Sequence, residues 1–305
     1  MFYEKIMEEP LIKNSAKAWM LAARPKTLTG AAVPVMIGLS LAYADLRHDG
    51  AFLLLPAILC LLFAFIMQID ANFINDYFDF VRGNDDETRL GPKRACAQGW
   101  VSSGAMRIAI MITTAVACVI GLPLIYYGGL EMILIGAVCV VFCFLYTTNL
   151  SYLGFGDVLV LVFFGVVPVC VPYYIETQSM TLQVFVASIA CGFVIDTLLV
   201  VNNYRDIDND RRAEKITLCV RMGARMSRYF YLSLGIIAFL MGGMFVFSGY
   251  WLAAVMPVAY LVLHYIAYRK MVAIDKGFAL NSVLGDTARN MFVYGLLVSI
   301  GIILS

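Results

Sequence analysis

Charge is what this chain has least of. Only 14% of its 305 residues are Asp, Glu, Lys or Arg, against 62% that are hydrophobic. A soluble domain averages about 25% charged and about 45–50% apolar, so a soluble globular protein is excluded. The apolar runs are too long for barrel strands and suit membrane-spanning helices, which satisfy their own backbone hydrogen bonds. No CxxC pair occurs among the eight cysteines, most of which sit inside apolar runs. That excludes a thiolate metal site and predicts small buried hydrophobes without a disulfide framework. The first 17 residues lack an apolar core, so no cleavable signal peptide is expected. Ser15 to Ala23 is expected to form an interfacial helix ahead of the first span.

What is present is a series of nine apolar windows. They run at roughly 24–44, 51–72, 106–127, 130–148, 157–176, 181–203, 228–248, 251–268 and 288–304. The predicted organisation is a short N-terminal segment, 1–23, and one transmembrane domain, 24–305. Every Lys and Arg except Arg47 falls before or at the head of the first span, through Lys26, or after the second, sixth and eighth. The positive-inside rule then puts the N-terminus and the even-numbered loops in the cytoplasm and the C-terminus outside. Two cytoplasmic loops, about 77–105 and 204–227, are too long to be mere connections and are read as a cap.

Polar residues gather where two spans end. The second span closes on Asn72-Phe-Ile-Asn75-Asp76-Tyr-Phe-Asp79-Phe-Val-Arg82-Gly-Asn-Asp85. The sixth closes on Asn202-Asn203-Tyr-Arg205-Asp206-Ile-Asp208-Asn-Asp210-Arg211. On a helix Asn75 shares a face with Asp79, and Asp206 with Asp210. Gln68 lies seven residues before Asn75, and Asp196 seven before Asn203, so each shares a face with its Asn two turns on. The recurrence hints at a repeat of about four helices. Ordinary solvated helix ends do not explain polar groups that reach back into apolar segments, where they are costly.

Four to six carboxylates at one membrane face repel one another unless cations neutralise them. Oxygen ligands of this kind suit Mg²⁺, and two ions would leave positions open for phosphate oxygens. Arg24, Lys26, Arg82, Arg89, Lys93, Arg94, Arg205 and Lys215 are interleaved as phosphate partners. A diphosphate site at the mouth of an apolar bundle points to a polyprenyl diphosphate. Departure of the diphosphate would leave an allylic cation, which an aromatic face could stabilise. Tyr77, Phe78, Tyr146 and Tyr204 are the candidates, with interfacial belt residues as the alternative reading.

These motifs resemble those of the UbiA superfamily of intramembrane prenyltransferases, and within it the dihydroxynaphthoate branch of menaquinone biosynthesis. The matching strings are Arg24-Pro-Lys-Thr27, Asn75-Asp-Tyr-Phe-Asp79 with Gly83-Asn-Asp85, Arg89-Leu-Gly-Pro-Lys-Arg94, Asn202-Asn-Tyr-Arg-Asp-Ile-Asp208, Lys215-Ile-Thr-Leu with Arg221-Met-Gly223, and Leu280-Asn-Ser-Val-Leu-Gly-Asp-Thr287. The resemblance implies an all-α integral membrane bundle of nine helices around a central cavity capped by cytoplasmic loops. It implies Mg²⁺-dependent prenylation of 1,4-dihydroxy-2-naphthoate with decarboxylation, in the cell's inner membrane, with polyprenyl diphosphate and membrane lipid as partners and no nucleic acid. Carried over, Asn75, Asp76 and Asp79 would hold one Mg²⁺ and Asp206 and Asp210 another. Arg82, Arg94, Lys215 and Arg205 would bind diphosphate. Arg24, Lys26, Asn72 and Asn203 would lie at the acceptor or head group, and Tyr146 beside the reacting carbon. Glu214 stands where that branch often has Gly. Other acceptors (4-hydroxybenzoate, homogentisate, a glycerol phosphate) remain open, as does a cation-coupled transporter, although acids confined to one face argue against the last.

Overall fold

The computed structural model describes residues 11–47, 50–83 and 89–305. Asn84 and Asp85 of the first polar stretch lie outside the described residues. Among the described residues there are helices and no strands. In chain order they are α1 (Ala16–Ala23), α2 (Leu28–Leu46), α3 (Leu54–Val81), α4 (Ser103–Gly121), α5 (Leu124–Gly128), α6 (Glu131–Leu145), α7 (Gly156–Val160), α8 (Val167–Thr177), α9 (Leu182–Arg205), α10 (Ile207–Arg212), α11 (Leu218–Gly242), α12 (Trp251–Val255), α13 (Val258–Ile274) and α14 (Asn281–Leu304). Among the described residues eight helical stretches are long and apolar enough to cross a membrane, and α6 is a shorter apolar helix where the fourth span was expected.

The expected helix between Ser15 and Ala23 is present as α1. Ser15 Oγ caps it by accepting from the Ala18 N–H at 3.3 Å, and Arg24 ends it in the left-handed region. Ser102, Thr181 and Thr217 cap α4, α9 and α11 in the same way. A capping oxygen satisfies one orphan N–H of the first turn. The apolar windows misplaced several helix ends. α11 begins at Leu218 rather than near 228, and α14 at Asn281 rather than near 288. Most of the 204–227 loop is helical, α10 followed by the start of α11 with a kink at Gly223. Hydropathy marks what lies in lipid, whereas a helix continues into its polar turns. α3 has 28 residues, about 42 Å at 1.5 Å per residue, so it lifts its polar end clear of an apolar core about 30 Å thick.

Large apolar side chains such as Leu134, Met111 and Phe247 face outward, as lipid contact allows. Inside, small residues bring backbones together. A Cβ at Gly165 would stand 2.7 Å from Ser188 O and 2.8 Å from Gly192 Cα, and one at Gly38 would stand 2.3 Å from Val169 O. Those crossings lock α9 and α2 against the segment 161–177. α2 also packs on α3 and α14. α3 and α9 share no extensive contact, so α2 connects the two helices that carry the polar ends.

Candidate active site

The first polar end is held from three directions. Asn72 Nδ2 donates to Ala23 O and to Thr27 Oγ1, both at 2.9 Å. Asn72 therefore fastens the turn that carries Arg24 and Lys26. Asp76 is fully buried, and its two oxygens accept from the Ala95 and Cys96 N–H groups at 2.8 Å each. That carboxylate anchors the loop carrying Arg94. One residue before the anchored pair, Arg94 reaches Asp79 at 2.6 Å, with the Asp79 side chain 17% exposed. Asn75 Oδ1 accepts from Thr147 Oγ1 at 2.7 Å, and Arg82 donates to Thr147 O at 3.0 Å.

The second polar end is built on Arg205. This guanidinium is 5% exposed. It grips Asp206 through two nitrogens at 2.9 and 2.6 Å, and donates to Asn202 Oδ1 at 2.8 Å and Asn281 Oδ1 at 2.7 Å. Asn281 in turn donates to Leu90 O at 2.7 Å, so Arg205 joins α9, α14 and the first loop. Asp210 faces Lys215 at 3.5 Å, and its Oδ2 is buried without a hydrogen-bond partner. Burial pushes the Asp210 carboxyl up to about 6, the nearby Asp206 charge adds to this, and Lys215 offsets part of it. Glu214 adopts φ 55°, the left-handed backbone that Gly favours. It thereby holds the turn that presents Lys215.

The segment between α6 and α7 joins the two ends, and of it the sequence reading singled out Tyr146 alone. A wide π-helical turn, Tyr146–Leu150, follows α6. Its Thr147 takes Asn75 and Arg82. Further on, the Tyr152 ring lies 5.0 Å from the Arg82 guanidinium and 6.0 Å from Lys215 Nζ. Ile216 N–H donates to Tyr152 O at 2.9 Å, and the approach needs Gly154, where a Cβ would stand 2.5 Å from Ile216 O. Tyr146 sits within electrostatic reach of Asp79, Asp157, Asp196 and Asp210. Tyr146 also lines a narrow crevice with Ser151, Asp157, Leu199, Asn203, Lys215 and Thr217. Of the four aromatic candidates it is the one that lines this crevice. The Tyr204 hydroxyl is engaged by Arg228 at 2.7 Å, and Tyr77 and Phe78 pack into the cluster around α1 and α4.

Among the described residues no three His, Cys, Asp or Glu side chains gather closely enough to hold a metal ion. The acids instead stand one or two at a time, each with its own base: Asp79 with Arg94, Asp206 with Arg205, and Asp210 with Lys215. The missed residues did leave a trace in the sequence. A polar run, Tyr146-Thr-Thr-Asn-Leu-Ser-Tyr152, interrupts the apolar pattern, and an acid, Asp157, opens the next span.

Fold and site together define a multi-pass helical membrane enzyme with its polar residues at one mouth of the bundle. Comparison with known proteins makes this specific. Residues 31–282 match the UbiA prenyltransferase family. A 1,4-dihydroxy-2-naphthoate octaprenyltransferase of Mycobacterium tuberculosis is 34% identical over 284 residues, covering 92% of this chain and 95% of that protein. An Escherichia coli protein of the same name is 33% identical over 227 residues, 72% of each chain. Among solved structures, a UbiA homolog from Aeropyrum pernix K1 has a TM-score of 0.68 at 15% identity, over 92% of this chain and 98% of that one. A UbiA homolog from Archaeoglobus fulgidus bound to GPP and Mg²⁺ has a TM-score of 0.61 at 14% identity, over 92% and 99%. The chain belongs to the UbiA prenyltransferase family and is a prenyltransferase.

Proposed function

We propose that the protein transfers a polyprenyl group from polyprenyl diphosphate to 1,4-dihydroxy-2-naphthoate, with loss of the carboxylate as CO₂, giving demethylmenaquinol. The observation that carries the reading is the pair of acid–base couples, Asp79–Arg94 and Asp210–Lys215, arranged around Tyr146. The relatives named for dihydroxynaphthoate support the acceptor.

The donor set fits divalent cations. Asp210 Oδ2 is buried and unsatisfied, and the remaining acids are balanced by bases that a diphosphate would engage. Mg²⁺ binds through one or two carboxylates plus substrate phosphate oxygens, so it does not require three clustered acids. The Mg²⁺-bound Archaeoglobus homolog supports the same choice of ion. Asn75 and Asp79 would hold one ion, and Asp206 and Asp210 a second. Bound there, the ions supply charge that stabilises departing diphosphate. Asp76 leaves this ligand set, because both its oxygens serve the loop.

The protein's own groups do the rest. Arg82, Arg94 and Lys215 bind the diphosphate oxygens, while Arg205 keeps α9, α14 and the first loop in register. Thr147 orients Asn75. The Tyr146 ring faces the allylic carbon as positive charge develops there. Arg24 and Lys26, set by Asn72, meet the acceptor carboxylate or the head group, and Asn203 lines the acceptor's side of the crevice. The protein lies in the cell's inner membrane with its N-terminus and this mouth cytoplasmic and its C-terminus outside.

The test uses the chain in membranes with labelled prenyl diphosphate. Dihydroxynaphthoate, 4-hydroxybenzoate, homogentisate and a glycerol phosphate are offered separately. Prenylated product and labelled CO₂ from carboxyl-labelled dihydroxynaphthoate are expected in equal amounts. Transfer to another acceptor without any to dihydroxynaphthoate refutes the assignment.

A further inference from the structure

Two acids remain once the polar ends of α3 and α9 have been assigned. Asp157 is in the first turn of α7 and is 8% exposed, and Asp196 lies within α9 and is 3% exposed. Each has one oxygen, Oδ1, enclosed without a hydrogen-bond partner. Two other enclosed acids with an unpartnered oxygen are engaged through the second one: Asp210 faces Lys215 at 3.5 Å, and Glu176 accepts from the Leu53 N–H at 2.8 Å. Asp70 is fully satisfied, taking the hydroxyls of Thr113 and Thr114 at 2.5 and 2.7 Å. Leaving a buried acceptor unmade costs on the order of 1–3 kcal/mol, and more for a charged one. Asp157 and Asp196 therefore contribute little to holding helices together as they stand.

Their placement gives them another use. Asp157 lines the crevice beside Tyr146, Leu199, Asn203 and Lys215. Asp196, Leu199 and Asn203 are spaced i, i+3, i+7 and share one face of α9. Asp196 is therefore about 10 Å along the helix from Asn203, deeper in the bundle. The two carboxyls interact electrostatically with each other and with Tyr146. Neither orphan oxygen has a donor from the protein, so each is left for a hydroxyl of a bound molecule. A single hydroxyl donates to a carboxylate and accepts from a protonated carboxyl, the pairing that these two orphan oxygens lack.

We propose that Asp157 and Asp196 bind a ring hydroxyl of the aromatic acceptor and exchange its proton during transfer. This rests on the acceptor being the dihydroxynaphthoate proposed above. As the allylic C–O bond breaks toward diphosphate, the carboxyl-bearing ring carbon bonds to the prenyl carbon. The neighbouring hydroxyl gives its proton to the carboxylate, and its O–H electron pair forms the ring C=O. When CO₂ leaves, the electron pair of its C–C bond restores the aromatic ring, and the carbonyl oxygen takes the proton back. The pair begins and ends with one proton between them, so no other reactant is needed.

The test compares dihydroxynaphthoate with the methyl ether of its hydroxyl next to the carboxylate, using the Mg²⁺-loaded full chain in nanodiscs. The wild type is expected to prefer the diol at least 100-fold in kcat/KM, the low end of general acid–base effects. Asp157→Asn and Asp196→Asn should lower kcat/KM for the diol by a similar factor and shrink the preference below tenfold. KM for prenyl diphosphate should change less than twofold. Variants with full activity, or with reduced activity and an intact preference, overturn the proposal. A wild type that takes the ether as readily as the diol overturns it without any variant, which covers variants that do not fold. A wild type that prenylates another acceptor and not the diol overturns the acceptor reading as well, and the wild-type measurements alone reveal that case.

Discussion

Asp76→Asn separates loop anchoring from metal binding. The native carboxylate accepts two backbone N–H bonds at 2.8 Å in a fully buried position. An amide keeps one acceptor oxygen and turns an NH₂ toward the other N–H, so one charge-assisted bond is lost and a buried donor is stranded. Hydrogen bonds to charged groups contribute about 1.5–3 kcal/mol, and a stranded donor costs about 1–3. Taking about 3 kcal/mol as the net local loss, and about 1.4 kcal/mol per decade, opening of the loop at residues 95–96 becomes about 100-fold more frequent. Hydrogen exchange at those two amides should speed up by that factor. kcat/KM should fall too, because Arg94 no longer reaches Asp79. The apparent Mg²⁺ affinity should hold within about threefold, in keeping with Asp76 lying outside the ligand set. Unchanged exchange together with lost Mg²⁺ dependence would place Asp76 among the ligands and refute the reasoning.

Asp79→Ala should cut transfer at least about 100-fold and remove Mg²⁺ dependence, and should lower Tm because it takes the carboxylate from the buried Arg94, read by activity and thermal melting in detergent. Asp206→Ala should lower activity and also Tm, since it leaves the buried Arg205 without its carboxylate, a loss of about 3–5 kcal/mol before Asn202 and Asn281 compensate; an unchanged Tm would contradict this. The Asp210 carboxyl lies up near about 6 through burial, so the folded state holds its proton more tightly than the unfolded chain. Metal-free wild type should therefore lose stability, relative to Asp210→Asn, as pH rises from about 4 to about 6 and change little above that; a flat difference in Tm across that range would reject the environment described. Gly165→Ala would press a methyl against Ser188 O and Gly192 Cα and should cost about 1–3 kcal/mol, seen as a lower Tm with KM unchanged.

Much of this architecture was readable from local pattern. Apolar length located the spans. The i, i+4 spacing of Asn75 with Asp79 and of Asp206 with Asp210 located the two polar ends. Helix limits were less legible, as at α11 and α14, because a polar turn can continue a helix without any hydropathic sign.

Pattern within a single helix is enough to say that α3 and α9 end in acids, since side-chain direction repeats every few residues along one segment. It cannot say which acids stay available. Asp76 and Asp79 are three residues apart, yet one is consumed by the amides of Ala95 and Cys96 and the other meets Arg94 near the surface. Arg205 finds Asn281 across 76 positions, and Tyr146 comes to stand among Asp79, Asp157, Asp196 and Asp210. Those meetings follow from how helices cross, through close approaches such as Gly165 on Gly192, and the energy of a buried acid depends on the neighbours that crossing supplies.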